Sequence, residues 1–318
     1  MTRSVNLIVT CTQRKKLEAV SDLRLGTIPA LDIAKRAKAW RKNLERVAAP
    51  TVAASDLYAG DSWSVALKLV EAGRSRGLSP SVWVCSAGYG LVPLDAQLPG
   101  YAATFSPGHD DSVSSESNTA IRAQYCQEWW GAMTQWRGPK PGAPRSLSAL
   151  AAQSPRTPMI FAGSEAYLGA LQADLSEVAT KLRNRLVVIS AGASPSGSIA
   201  GHQVPCDARF QGALGGARQS INVRILRSLL EQAPEGGIDL PSAAEILGKM
   251  SEGLAPLQKF DRLPMDDGEV RQFVRQALGS NAKSKHSPLL RQLREAGYQC
   301  EQGRFRDLYQ EEAQQHGS

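Results

Sequence analysis

The sequence predicts an α/β fold: an open parallel sheet with helices on both faces, followed by a helical C-terminal module. Over the first two-thirds of the chain, short apolar runs rich in β-branched residues alternate with helix-length segments, the pattern of strands buried on both sides. The turn-forming stretch at 233–241 (APEGGIDLP) then ends the alternation, and only helical patterns follow it. A length of 318 residues accommodates about two domains. They are expected at 1–233, α/β and catalytic, and at 241–318, helical and resembling a helix-turn-helix.

The run Val5–Cys11 reads as a buried strand and 30–47 as a helix. Thr51–Ala54 opens a second short strand, and 62–77 is a helix closed by Gly77. Ser81–Ser86 is a third strand, followed by a long Gly/Pro loop and an aromatic-rich helix over 118–136. The Pro-rich stretch 138–156 reads as an insertion or linker. Thr157–Gly163 is a strand feeding a helix at 164–173, Arg185–Ser190 is a fifth strand, and a helix follows at 217–232. Beyond the break, helices are expected at 241–252, 267–278, 287–296 and 301–314. Ser287-Pro288 supplies an N-cap and an N1 proline for the third of these.

Composition narrows the function classes. With 42% hydrophobic and 21% charged residues the chain has the means to build a core, which excludes wholesale disorder and collagen-like structure. No apolar run reaches the ~18 residues of a membrane span. The five cysteines are scattered without a C-x-x-C pair and the four histidines are far apart, so reduced thiols in a cytoplasmic compartment are expected, with no metal and no cofactor. The net charge of +7 is concentrated in two zones, Arg14–Arg46 and Arg271–Arg306, which points to a nucleic-acid partner, with double-stranded DNA the expected one. Lys15 in the first zone, and Lys283, Lys285, Arg291 and Arg304 in the second, are the expected phosphate contacts, set against solvated helix faces as the plainer reading.

Ligands of open parallel sheets bind at the carboxyl ends of strands, so the residues after each strand are the site candidates. After the first strand come Cys11, Gln13 and Arg14, small polar and cationic groups suited to a sugar–phosphate; with no histidine nearby in sequence, Cys11 reads as a buried free thiol rather than a nucleophile. After the second come Asp56 and Tyr58, with Asp61 or Ser62 as a helix cap. After the third, Ser86 leads to Tyr89, set between Gly88 and Gly90 where a ring can stack on a base, and to Asp95. Gly163 and Ser164 open the helix after the fourth strand, and Arg218 and Asn222 lie a turn apart at a later helix start. Neither a P-loop nor a dinucleotide fingerprint is present. Carboxylates, a stacking ring and amides suit cleavage of a sugar–base bond, where a carboxylate stabilises the oxocarbenium-like sugar. Asp56 and Asp95 are therefore the expected catalytic residues.

Three segments, Cys11–Lys15, Ser55–Tyr58 and Ser86–Leu91 followed by Asp95, resemble the C-[ST]-x-[RK]-K, A-x-D-L-Y and S-A-x-Y-G-L blocks of a group related in fold to uracil-DNA glycosylases and to enzymes that place deazaguanine bases in DNA. Within it the chain is most similar to bacterial anti-phage DNA glycosylases, over about 1–230. The resemblance implies a uracil-DNA-glycosylase-like fold and excision of a modified base, such as glucosylated hydroxymethylcytosine, from phage DNA. The water-activating loop and His-Pro-Ser motifs of ordinary uracil-DNA glycosylases are not found here, so the catalytic assignments rest on position at strand ends. A base-exchange or nucleoside-processing enzyme and a non-catalytic DNA-binding protein are the alternatives.

Overall fold

The computed structural model describes residues 3–29, 32–193, 197–235, 237–255, 261–281 and 284–316. Its first strand, β1 (Arg3–Thr10), is buried from Val5 to Val9 on both faces, which suits only the middle of a covered sheet. It pairs in parallel with β3 (Leu78–Ser86) and with β6 (Met159–Ala162). β7 (Leu186–Ile189) extends the sheet in parallel beyond β6, and β4 (Gly90–Pro93) closes the other edge as an antiparallel return of β3. The order is β4-β3-β1-β6-β7, a mostly parallel five-stranded sheet flanked by helices. The α/β expectation holds.

Two local readings are corrected. β2 (Thr51–Ala53) does not join this sheet; it pairs antiparallel with β5 (Gln97–Pro99) in a separate ribbon. The long loop after β3 is in part a hairpin, with Gly90 at φ +72° letting the chain reverse at once into β4.

Between the strands, and after β7, lie α1 (Ile33–Arg46), α2 (Ala54–Leu57), α3 (Asp61–Ala66), α4 (Leu69–Arg74), α5 (Thr119–Thr134), α6 (Leu147–Gln153), α7 (Glu165–Ala170), α8 (Gln172–Leu182), α9 (Phe210–Leu214) and α10 (Ile221–Glu231). The single helix expected over 62–77 is thus two short ones. The stretch 138–156 is no bare linker either: α6 buries Leu147, Leu150 and Ala151. The buried Asp174 carboxylate accepts from the Leu147 and Ser148 amides, both at 2.8 Å, and from Trp130 Nε1 at 2.9 Å.

The chain divides into two compact units, 1–255 and 256–318. The helix α11 (Leu240–Ser251) belongs to the first unit, because Ala243 and Leu247 are buried in its core. The second unit holds α12 (Asp267–Ser280), α13 (His286–Glu295) and α14 (Gln302–His316) around Val270, Val274, Leu278, Leu293 and Phe305. Asp266 and Glu269 form a reciprocal capping box that starts α12. After α13, Gly297 at φ +88° turns the chain toward α14. Among the described residues no helix is long and apolar enough to cross a membrane.

Candidate active site

From β1 the sheet continues to β3 on one side, and from β6 to β7 on the other. A crevice must therefore open between the carboxyl ends of β1 and β6. A cleft of about 500 Å³ occupies it, lined by Cys11–Arg14 after β1 and Gly163–Ser164 after β6, with Asp61, His109 and Asn222 on its walls.

Local chemistry explains how each part is held. A Cβ at Gly163 would stand 2.5 Å from Phe161 Cζ and 2.9 Å from Thr10 Cγ2, so only glycine lets the two strand ends close on one another. Asn222 Nδ2 donates to the Gly163 carbonyl at 2.8 Å, and its Oδ1 accepts from the Ala191 amide at 2.7 Å. Both ends of that amide are thereby engaged in fixing β6 and β7 to the start of α10. The Cys11 thiol lies 3.0 Å from the Tyr167 hydroxyl, whose pKa burial raises well above its ordinary value.

Asp61 is the carboxylate on the cleft wall. Its Oδ2 accepts from Ser220 Oγ at 2.6 Å and the Ala217 amide at 3.2 Å, while Oδ1 accepts from Arg224 at 2.7 Å. These donors, Ser220 first, hold the carboxyl below the usual carboxylate range. It is ionised at neutral pH, still 41% exposed toward the cleft and solvent, and so presents a fixed negative charge. Gly60, with φ +101°, caps α3 and leaves Asp61 as its first residue.

The three sequence blocks converge beneath the cleft. Lys15 bridges to Tyr58 backbone to backbone, and the Cys11 amide donates to the Cys85 carbonyl at 2.9 Å. The Tyr101 hydroxyl lies 2.9 Å from that of Tyr58 and 2.6 Å from Ser86 Oγ, which also accepts from the Gly88 and Tyr89 amides. Lys15 Nζ sits 4.2 Å over the Tyr101 ring and donates to the Thr12 carbonyl at 3.2 Å. Burial lowers its pKa.

Of the expected site residues, Cys11, Gln13, Arg14, Gly163, Ser164 and Asn222 line the cleft. The others do not. Asp56 is exposed and away from the lining, because β2 is outside the parallel sheet and its end is not a sheet end. Asp95 is 68% exposed and ion-paired with Lys140. It follows β4, which runs back until Pro93 stands opposite Trp83, so the chain has left the carboxyl edge. Tyr89 is a core residue, 2% exposed, with its ring edge-on to Tyr101 at 4.9 Å. Tyr58 and Ser86 are buried in the network below, and Arg218 is exposed and off the lining.

The expected phosphate contacts divide similarly. Lys15 is committed to Tyr101 and backbone carbonyls, and Arg304 Nε donates to Asp267 at 2.7 Å. Lys285 and Arg291 are exposed and carry no ion pair among the described residues. Lys283 lies outside the described residues.

Sequence reasoning missed Asp61 as a site residue by taking it for a cap, and missed Thr104, Ser106 and His109 altogether. The Gly60-Asp61 pair at a helix start was a usable signal for the first; the other three sit on a loop without periodicity. Among the described residues, no group of three or more His, Cys, Asp or Glu side chains is placed to hold a metal ion. No protein-family model, curated protein or solved structure matches the chain.

Proposed function

We propose that the protein hydrolyses the N-glycosidic bond of a modified base in DNA, leaving an abasic site, and that glucosylated hydroxymethylcytosine of phage DNA is the class of target. The observation that carries this reading is the cleft between β1 and β6, with the ionised Asp61 on its wall. Its volume of about 500 Å³ suits a base with its sugar, within the range of small-ligand sites. The base must leave the helix stack to reach it.

As the C1′–N bond breaks, its electron pair passes to the base and positive charge develops on the sugar. Asp61 stabilises that charge without taking a proton, since its pKa is held low. His109, the sole imidazole among the lining residues, donates a proton to the departing base. Water adds at C1′ and loses its proton to solvent. Asp61 thus takes the role that the strand-end rule gave to Asp56 and Asp95.

Incubation with glucosylated and unmodified DNA, followed by alkali, tests the reading: strand breaks in the modified DNA alone are expected. One observation favours a second reading, a nucleoside or nucleotide N-glycosidase. Two expected phosphate contacts, Lys15 and Arg304, are already committed to partners within the chain. Release of free base from mononucleotides, with intact DNA untouched, would select it.

A further inference from the structure

A second cavity, of about 570 Å³, lies at the opposite edge of the sheet from the cleft. Its walls are the starts of strands: Arg3 to Val5 of β1, Leu78 of β3, Arg156 to Pro158 ahead of β6, and Arg185 ahead of β7. The approach to α11 closes it, with Gly237 at φ +88° turning the chain beside Arg3.

Its charge is one-sided. Two guanidiniums, Arg156 and Arg185, come from separate segments of a lining that holds one carboxylate, Asp239. That carboxylate is spent locally: it accepts from the Ser242 amide at 3.0 Å and the Ser242 hydroxyl at 2.6 Å, as the cap of α11. Arg185 donates only to the Pro155 carbonyl, at 3.3 Å, and Arg156 makes no ion pair among the described residues. Guanidiniums stay charged at every accessible pH and present forked donors that match phosphate oxygens. The floor is apolar, with Val5, Leu78 and Ile238 buried beneath it. The volume exceeds what an inorganic ion would fill.

We infer that this cavity binds a phosphate-bearing ligand, its phosphates on Arg156 and Arg185 and its less polar part against Val5, Leu78 and Ile238. The site is separate from the cleft and does not depend on the glycosylase reading. Phosphate of this kind comes either from a free nucleotide or from a nucleic-acid backbone.

Titration calorimetry of the full chain with inorganic pyrophosphate tests it. One binding event per chain is expected, weakened about tenfold or more in Arg156→Gln and in Arg185→Gln, the scale of losing a charged hydrogen bond. Lysine at either position should restore less than half of the lost binding free energy, because it keeps the charge and loses the fork. Asp61→Asn should bind pyrophosphate as the parent does. A nucleoside triphosphate binding more tightly than pyrophosphate identifies a free nucleotide as the source; a short duplex that displaces pyrophosphate identifies a nucleic-acid backbone. Absence of binding at millimolar pyrophosphate, or equal binding by parent and both glutamine variants, overturns the assignment.

Discussion

Replacing Asp61 with asparagine separates what the carboxylate does for the fold from what it does for the chemistry. Asparagine keeps an acceptor for the Ser220 hydroxyl and the Ala217 amide, but sets an NH₂ group against the Arg224 guanidinium. Asp61 is 41% exposed and Arg224 21%, so their pair contributes about 1 kcal/mol or less. With some weakening of the Ser220 bond, the fold should lose about 1–2 kcal/mol. Turnover should fall by about 10² or more, the scale of removing one preorganised charge at a developing cation. That is about 2.7 kcal/mol of barrier or more. Single-turnover formation of alkali-labile sites in glucosylated DNA, with enzyme in excess, measures the second quantity; urea unfolding measures the first. Arg224→Gln is the control, since it removes the ion pair but leaves the charge, and it should keep most of the turnover. A near-parental rate in Asp61→Asn would remove the carboxylate from the mechanism. The pH dependence has a definite sign. The folded carboxyl titrates below its unfolded value near ~3.9, so its contribution to stability is complete above that value. The contribution is lost as pH falls through the lower folded value, and Asp61→Asn should flatten the acid limb of stability in that window.

Tyr89→Phe should be neutral or stabilise the fold by about 1 kcal/mol, because the buried hydroxyl has no hydrogen-bond partner among the described residues. A loss of stability in urea unfolding would reveal one. Removal of Lys285 and Arg291 should lower the slope of log K for DNA against log salt by about 0.9 per lost phosphate contact. Arg304→Ala should change the slope less, as Asp267 already neutralises it; equal slopes in all variants would take the second unit out of DNA binding. A chain ending at Ala255 should fold, whereas one ending at Pro234 should lose about 3–6 kcal/mol from the missing Ile238 and Leu247. Calorimetric melts of the two chains compare them, and equal melting temperatures would refute the assignment of α11 to the first unit.

The sheet was legible where burial is continuous along the chain. Val5–Val9, Met159–Ala162 and Leu186–Ile189 are each buried at every position, and their shortness and β-branched residues separate them from buried helices. Partner choice was not legible, because it is decided by contacts distant in sequence. Nothing within Thr51–Ala53 says that it pairs with Gln97–Pro99 rather than with the main sheet, and nothing in Gly90–Pro93 separates a hairpin strand from a loop. Both errors passed directly into the site. The strand-end rule is a statement about parallel strands of one sheet, so it holds for Cys11 and Gly163 and fails for Asp56 and Asp95. The same hairpin turned Tyr89 inward: with Ser86 and Gly90 paired across it, the ring between them packs on Tyr101. Asp61 was visible but explained too soon, since a carboxylate at a helix start satisfies local capping rules whether or not it also faces a cleft. What distinguishes the two is the position of Ser220 and Arg224, more than 150 residues further on, whose donors hold the carboxylate in place at the cleft wall.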